Sequence, residues 1–299
     1  MALSETRKGE LYLFSGILIW GLFPVVTALS YAGVPAAISF LWSTVFATVF
    51  FAIMLTYQRR WSEIKNLVLW RYSLYIAISI GVLFYGFYFL GLEKTTPGNA
   101  AIIVLFEVFT AFVFFRLLRS SDISLQHVLG SVLMVLGALV ILAPNFNGFN
   151  SGDLLVLAGT LFTPVGNYFQ QKARLIASSE MIMFLRSLIS IPFIVGLAYV
   201  VHVDITADIR PALLLLIING VFLLGLSKIF WIEAIHRMSV PKGTALQSFG
   251  PFVTLLFAWI ILSQTPSVWQ LASLAPLVFG VLLLTDQIGF SREKTTPLA

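Results

Sequence analysis

Residues 8–26 read KGELYLFSGILIWGLFPVV, and residues 151–169 read SGDLLVLAGTLFTPVGNYF. Both stretches place a glycine and an acidic residue, Gly9-Glu10 and Gly152-Asp153, before a long apolar run at an offset of 143 residues. The same offset, within one residue, relates TTPGNAAII (95–103) to SVPKGTALQ (239–247) and LMVLGALVIL (133–142) to PLVFGVLLLT (276–285). Three matches at one offset indicate that the second half of the chain repeats the first.

The composition places the chain in a membrane. Hydrophobic residues make up 59% of it and charged residues only 10%, whereas soluble domains carry about 25% charged residues. The apolar runs are continuous, which is typical of transmembrane helices and not of a β-barrel. We therefore predict an all-α integral membrane protein with ten transmembrane spans, numbered 1 to 10: residues 10–31, 35–57, 72–92, 98–116, 124–143, 153–171, 180–201, 211–235, 241–262 and 267–288.

Each repeat contains five spans, and an odd number of crossings gives the second copy the opposite orientation. Two inverted five-helix repeats are common in secondary transporters, which bind substrate near the midplane between the repeats. The predicted units are residues 1–146 and 147–290, followed by a cytoplasmic tail at 291–299.

The positions of Lys and Arg predict the orientation. With the N-terminus inside, 14 of the 18 fall in inner segments, and only Lys94 and Arg210 fall in outer loops. By the positive-inside rule, both termini are expected in the cytoplasm. This distribution also explains the net charge of +5 without a nucleic-acid partner.

Several function classes find no support in the sequence. There is no cysteine, the three histidines lie near span ends, and HExxH, Walker and GxSxG patterns are absent. We therefore expect no metal site, no cofactor and no enzymatic activity. Without a nucleotide-binding motif, a proton or substrate gradient is expected to drive transport in place of ATP.

The chain resembles a known family. Span 1 contains Trp20-Gly21 followed by Pro24, and spans 4 and 9 open with Pro97-Gly98 and Pro241-Lys242-Gly243. Together with ten spans and a 5+5 duplication, these features resemble the EamA-type permeases of the drug/metabolite transporter superfamily. The resemblance implies a bacterial inner-membrane permease, usually an exporter of amino acids or other small metabolites. It also implies a cavity lined mainly by spans 1, 3, 4, 6, 8 and 9.

Polar residues form stripes at helical spacing in spans 4, 6, 8 and 9. Polar side chains are costly inside a membrane and tend to face the bundle interior or a wet cavity, so we interpret the stripes as the wall of one cavity. Hydrogen bonding between helices is the alternative. The candidate cavity residues from these stripes are Asn99, Asn167, Gln171, Gln247 and Ser248.

Two charged residues lie deep within spans. Glu107 is about 13 Å from either end of span 4, and Lys228 about 12 Å from the inner end of span 8, at 1.5 Å per residue. We predict that they pair across the cavity or flank the substrate, with its carboxylate toward Lys228 and its ammonium toward Glu107. Glu107 is also a candidate proton-coupling group. The alternatives are a structural ion pair and a Lys228 that extends to the inner surface, as is expected of Arg186.

Aromatic residues and prolines add further candidates. Trp20, Tyr85, Tyr88, Tyr168 and Trp231 could stack on a substrate, with packing or interfacial anchoring as the alternative. Pro24 and Pro164 occupy corresponding spans, and we predict that they act as hinges.

The sequence therefore predicts a secondary transporter, with export expected, of an amino acid or related amphipathic solute by alternating access. Its expected partners are the small-molecule substrate, membrane lipid and, as a candidate coupling ion, protons, in a monomer or homodimer. A passive facilitator remains an alternative, as does a carrier of nucleobases, sugars, polyamines or lipid-linked solutes.

Overall fold

The computed structural model describes residues 5–119, 124–142, 150–237, 243 and 246–288, and every regular element within these residues is a helix. The all-α prediction is confirmed. Seven helical stretches of this described part are long and apolar enough to cross a membrane, judged by length and composition. Two shorter apolar helices, Gly250–Leu262 and Val268–Leu284, follow them.

The helices fall into stretches that correspond to the ten predicted spans. In span order, the bounds are Glu5–Gly21 and Phe23–Ser30; Ala36–Gln58; Leu67–Ile76, Ala77–Phe84 and Tyr85–Leu92; Pro97–Val104 and Glu107–Arg119; Leu125–Leu142; Ser151–Thr160 and Thr163–Arg174; Ser179–Val200; Leu213–Ile218, Asn219–Leu226 and Ser227–Arg237; Gly250–Leu262; and Val268–Leu284. Short 3₁₀ helices at Trp61–Lys65 and Arg210–Ala212 precede spans 3 and 8.

Span 6 differs from its neighbours in composition. Its first half, Ser151–Thr160, is mainly apolar, whereas Thr163–Arg174 carries a run of amide and basic side chains. The polar half can lie in a membrane protein only if its polar side faces other helices or water.

Six spans are interrupted, and each interruption has a counterpart in the other repeat. Span 1 breaks at Leu22, and span 6 breaks at residues 161–162. Spans 3 and 8 widen into π-helical segments, Ala77–Phe84 and Asn219–Leu226, at an offset of 142 residues. Such segments are rare and frequently occur at functional sites.

Spans 4 and 9 complete the pattern. Span 4 breaks at residues 105–106, directly before Glu107. Span 9 contains a turn at residues 248–249, directly before Gly250. Spans 2, 5, 7 and 10 are continuous helices, so the interruptions are confined to the spans in which the family resemblance placed the cavity.

Two threonines bond to carbonyl groups beside these breaks. The Thr110 hydroxyl donates to the Thr160 carbonyl at 2.9 Å, and the Thr254 hydroxyl donates to the Gly21 carbonyl at 2.9 Å. Pro164 has no N–H group, so the Thr160 carbonyl lacks its usual helical donor. Thr110 and Thr254 are themselves related by an offset of 144 residues. Equivalent threonine hydrogen bonds therefore stabilise a broken helix in each repeat.

The packing of the spans follows the same pseudo-symmetry. Span 5 packs along span 10 and span 2 along span 7, while span 1 packs on span 8 and span 3 on span 6. Exchanging each span for its counterpart five positions away reproduces the same contacts. The arrangement is that of two repeats related by an approximate two-fold axis.

The Thr254 bond gives a direct test of this scaffold. We expect Thr254→Val to lower the melting temperature of the purified protein in detergent, because an unbonded buried carbonyl costs about 1–3 kcal/mol. Thr254→Ser keeps the hydroxyl and should melt close to the wild type. Equal melting temperatures for the Val and Ser variants would show that the bond does not stabilise the fold.

Candidate functional site

A cavity lies where the interrupted spans converge. It comprises about 640 Å³ of space, part of it open to solvent. Its wall combines charged, amide and aromatic side chains: Trp20, Ile80, Phe84, Tyr85, Val104, Glu107, Thr163, Asn167, Gln170, Met183, Arg186, Lys228, Trp231, Ile232 and Gln247.

The helix interruptions position two of the three charged side chains. Glu107 is the first residue of the helix after the break in span 4, and Lys228 is the second residue after the π-helical segment of span 8. Both side chains are half-buried and face the cavity. Their charges interact, but within the described part of the chain they do not form an ion pair within 4.0 Å.

Lys228 contacts an aromatic ring within the cavity. Its Nζ lies 3.2 Å from the centroid of the Trp20 ring, a cation–π contact. The Trp20 ring in turn stacks on Phe23 at 4.4 Å. Trp20 therefore holds the lysine head group inside the bundle, whereas a Lys228 extending to the membrane surface was one of the alternatives.

Arg186 is the charged residue that the sequence placed wrongly. Its proximity to the end of span 7 suggested a side chain that reaches the surface, yet the residue is only 4% exposed and lines the cavity. The guanidinium carbon lies 5.6 Å from the centroid of the Tyr85 ring. A cation on an apolar helix was the available signal for a cavity residue. Its depth in the span alone could not show whether the side chain extends to the membrane surface or into the cavity.

Seven of the twelve predicted binding residues share this cavity: Trp20, Tyr85, Glu107, Asn167, Lys228, Trp231 and Gln247. Thr163 and Gln170 also line it. Both belong to the polar stripe of span 6 but were not among the predicted binding residues.

Asn99 lies elsewhere, in a polar network at the face opposite the N-terminus. Its amide donates to both carboxylate oxygens of Asp153 at 3.4 Å and accepts from Gln270 at 2.7 Å. Thr95 also donates to Asp153. This network joins the ends of spans 4, 6 and 10, so Asn99 connects helices, as in the alternative interpretation of the stripes.

The remaining four predicted residues also lie outside the cavity wall. Tyr88 is 1% exposed and packs on Phe23 and Phe84. Tyr168 lies under the Lys172 ammonium, with Nζ 4.4 Å from the ring centroid. Gln171 is exposed on the bundle surface, and Ser248 is buried next to Gln247.

Pro24 and Pro164 occupy equivalent places. Each lies in the first turn of the helix that follows a break, in Phe23–Ser30 and in Thr163–Arg174. Proline fits this position because the first turn does not use its N–H group. The hinge role of both residues stays a prediction.

The cavity is closed on one side. We call the end of the bundle that holds residue 5 the N-terminal face. At the opposite face, Phe23–Ser30, Pro97–Val104 and Gly250–Leu262 pack on one another, and Tyr31 donates to the Phe89 carbonyl at 2.9 Å. The open side of the cavity is therefore directed toward the N-terminal face.

The N-terminal face is less tightly packed around the cavity. There Glu107–Arg119 packs on Thr163–Arg174, and Glu5–Gly21 packs on Ser227–Arg237, as two separate pairs. One ion pair, with Arg174 Nη2 and Glu233 Oε1 3.9 Å apart, joins them. Within the described residues, no cluster of three His, Cys, Asp or Glu side chains could hold a metal ion.

A bundle of apolar helices from two repeats around a polar cavity defines the class of membrane transporters. The model of the EamA-like transporter family matches the chain twice, over residues 7–143 and 150–286. The chain therefore belongs to the EamA-like transporter family, a group of multi-pass membrane transporters related to the drug/metabolite transporters. This confirms the two-repeat architecture.

A solved structure shares the fold. It is described as "Crystal structure of protein" and superposes with a TM-score of 0.66 at 18% identity, covering 93% of this chain and 98% of that one. No curated protein gives a significant match.

Cysteine labelling can map the cavity wall, since the chain contains no cysteine. We expect Gln247→Cys to react with a polar methanethiosulfonate reagent about tenfold or more faster than Ser248→Cys, because access governs thiol reactivity. The two residues are adjacent, but only Gln247 lines the cavity. Equal rates at both positions would contradict the assigned wall.

Proposed function

We propose that this protein is a secondary transporter that carries a small metabolite, an amino acid or a related amphipathic solute, through the central cavity by alternating access. The observation that carries the proposal is the position of the cavity. It lies where interrupted helices of both repeats meet, and it presents opposite charges at Glu107 and Lys228.

Glu107 is the coupling residue in this proposal. Within the described cavity wall it is the sole carboxylate, so it is the group that can bind a proton or a cation during the cycle. Binding of the substrate near Lys228 would change the electrostatic environment of Glu107, which links the two events.

The cellular setting of the proposal follows from charge distribution and family resemblance. The protein lies in the bacterial inner membrane with both termini in the cytoplasm, and export is the expected direction. The open side of the cavity, at the N-terminal face, would then face the cytoplasm and admit a cytoplasmic solute.

The test is uptake of radiolabelled amino acids into proteoliposomes, with and without an imposed pH gradient. We expect saturable uptake that a pH gradient accelerates in the wild type, and we expect Glu107→Gln to lose that acceleration. Uptake of Glu107→Gln that still responds to the gradient would exclude Glu107 as the coupling group. Saturable wild-type uptake that ignores the gradient would favour a passive facilitator.

Asp208→Asn is the matched control, since it makes the same carboxylate-to-amide change outside the cavity. Asp208 lies in the loop before span 8 and accepts hydrogen bonds from Arg210 Nε at 2.9 and 3.0 Å. These bonds hold the pKa of Asp208 below its usual range, so the residue stays ionised at both ends of the gradient. The control should transport like the wild type.

A further inference from the structure

The charges of the cavity wall do not cancel. The described wall contains two cations, Arg186 and Lys228, and one carboxylate, Glu107, which gives a net charge of +1 when all three are ionised. The two cations also repel each other. A cavity lined by an excess of one sign of charge attracts ligands of the opposite sign, so this wall favours a ligand with a net negative charge.

Among the described residues, neither cation of the wall has a carboxylate within 4.0 Å, and the two differ in their other neighbours. Lys228 contacts Trp20 and interacts with the charge of Glu107. The neighbouring group of the Arg186 guanidinium is the neutral ring of Tyr85.

Span 3 packs closely against the Arg186 side chain. The Arg186 backbone carbonyl accepts the Ser190 hydroxyl at 2.7 Å. Gly81, in the π-helical segment of span 3, lies so close that an added Cβ would be 3.5 Å from Arg186 Cγ. Arg186 lies about 10 Å along the helix from Ser179 at 1.5 Å per residue. The guanidinium is therefore presented to the cavity by its packing.

We propose that Arg186 binds a carboxylate of the substrate and that the substrate is an acidic amino acid, with two carboxylates and one ammonium group. This inference rests on the proposed transport function and assigns its substrate class. The two carboxylates match Arg186 and Lys228, the ammonium matches Glu107, and the net charge of −1 neutralises the wall. The planar guanidinium fork is suited to bidentate binding of a carboxylate.

The proposal predicts an order of affinities among amino acids of similar size. Glutamate satisfies all three charges, glutamine leaves one cation without a partner, and lysine adds a second positive group to a site that is already positive. We therefore expect glutamate to bind more tightly than glutamine, and lysine to give no measurable binding.

The experiment is a titration of the purified full-length protein in detergent with L-glutamate, L-glutamine and L-lysine. Tryptophan fluorescence reports binding, since Trp20 and Trp231 line the cavity, and the thermal shift provides an independent readout. Arg186→Gln should weaken glutamate binding by about tenfold or more, the range for a lost charged hydrogen bond, and Arg186→Lys should weaken it less. Arg210→Gln removes an exposed arginine and should leave binding unchanged.

Three results would overturn the proposal: glutamine or lysine binding as tightly as glutamate, an Arg186→Gln variant that keeps wild-type affinity, or no binding of glutamate to folded wild-type protein. The order of wild-type affinities for the three amino acids tests the proposed substrate class even if Arg186→Gln does not fold. Saturable proteoliposome flux of a different metabolite would then leave the transport function standing and reject only the substrate class.

Discussion

Backbone hydrogen bonding in a membrane is the constraint on which the structure depends. A helix can break within the hydrocarbon region only where the freed groups are buried in protein or line a wet cavity. Six spans are interrupted, and the breaks converge on one cavity. Thr110 and Thr254 bond to carbonyls at two of the breaks. The interruptions thus determine where polar and charged side chains can lie in an otherwise apolar bundle.

The two repeats share a scaffold but differ in chemistry. Tyr31 contacts Phe89 at one face, and Arg174 contacts Glu233 at the other. The two contacts are equivalent, because Arg174 corresponds to Tyr31 at an offset of 143 residues and Glu233 corresponds to Phe89 at an offset of 144. The cavity charges have no such counterparts. At the same offsets, Glu107 corresponds to Pro251, Lys228 to Tyr85 and Arg186 to Ser43. In the proposed function, the symmetric packing would permit two related conformations, and the asymmetric charges would select the substrate.

The sequence predicted the helices and the repeat because both depend on long apolar runs and a constant offset. It also indicated that Glu107 and Lys228 face the cavity, since a charged side chain deep in an apolar span is costly unless it faces a cavity or a partner. The sequence was less accurate about which side chains of each span face the cavity. Within the continuous helix Thr163–Arg174, Thr163, Asn167 and Gln170 share one face and line the cavity, whereas Gln171 lies on another face and is exposed. Asn99 and Arg186 were misplaced because their surroundings come from other helices.

Transport by alternating access requires that this scaffold open its two faces in turn. Spin labels at Ala32 and Lys94 on one face, and at the equivalent Leu175 and Arg237 on the N-terminal face, allow both gaps to be measured by double electron–electron resonance in a chain without native cysteines. Under alternating access, we expect a transported solute to change the two distances in opposite directions. Two distances that stay fixed, or that lengthen together, would contradict it.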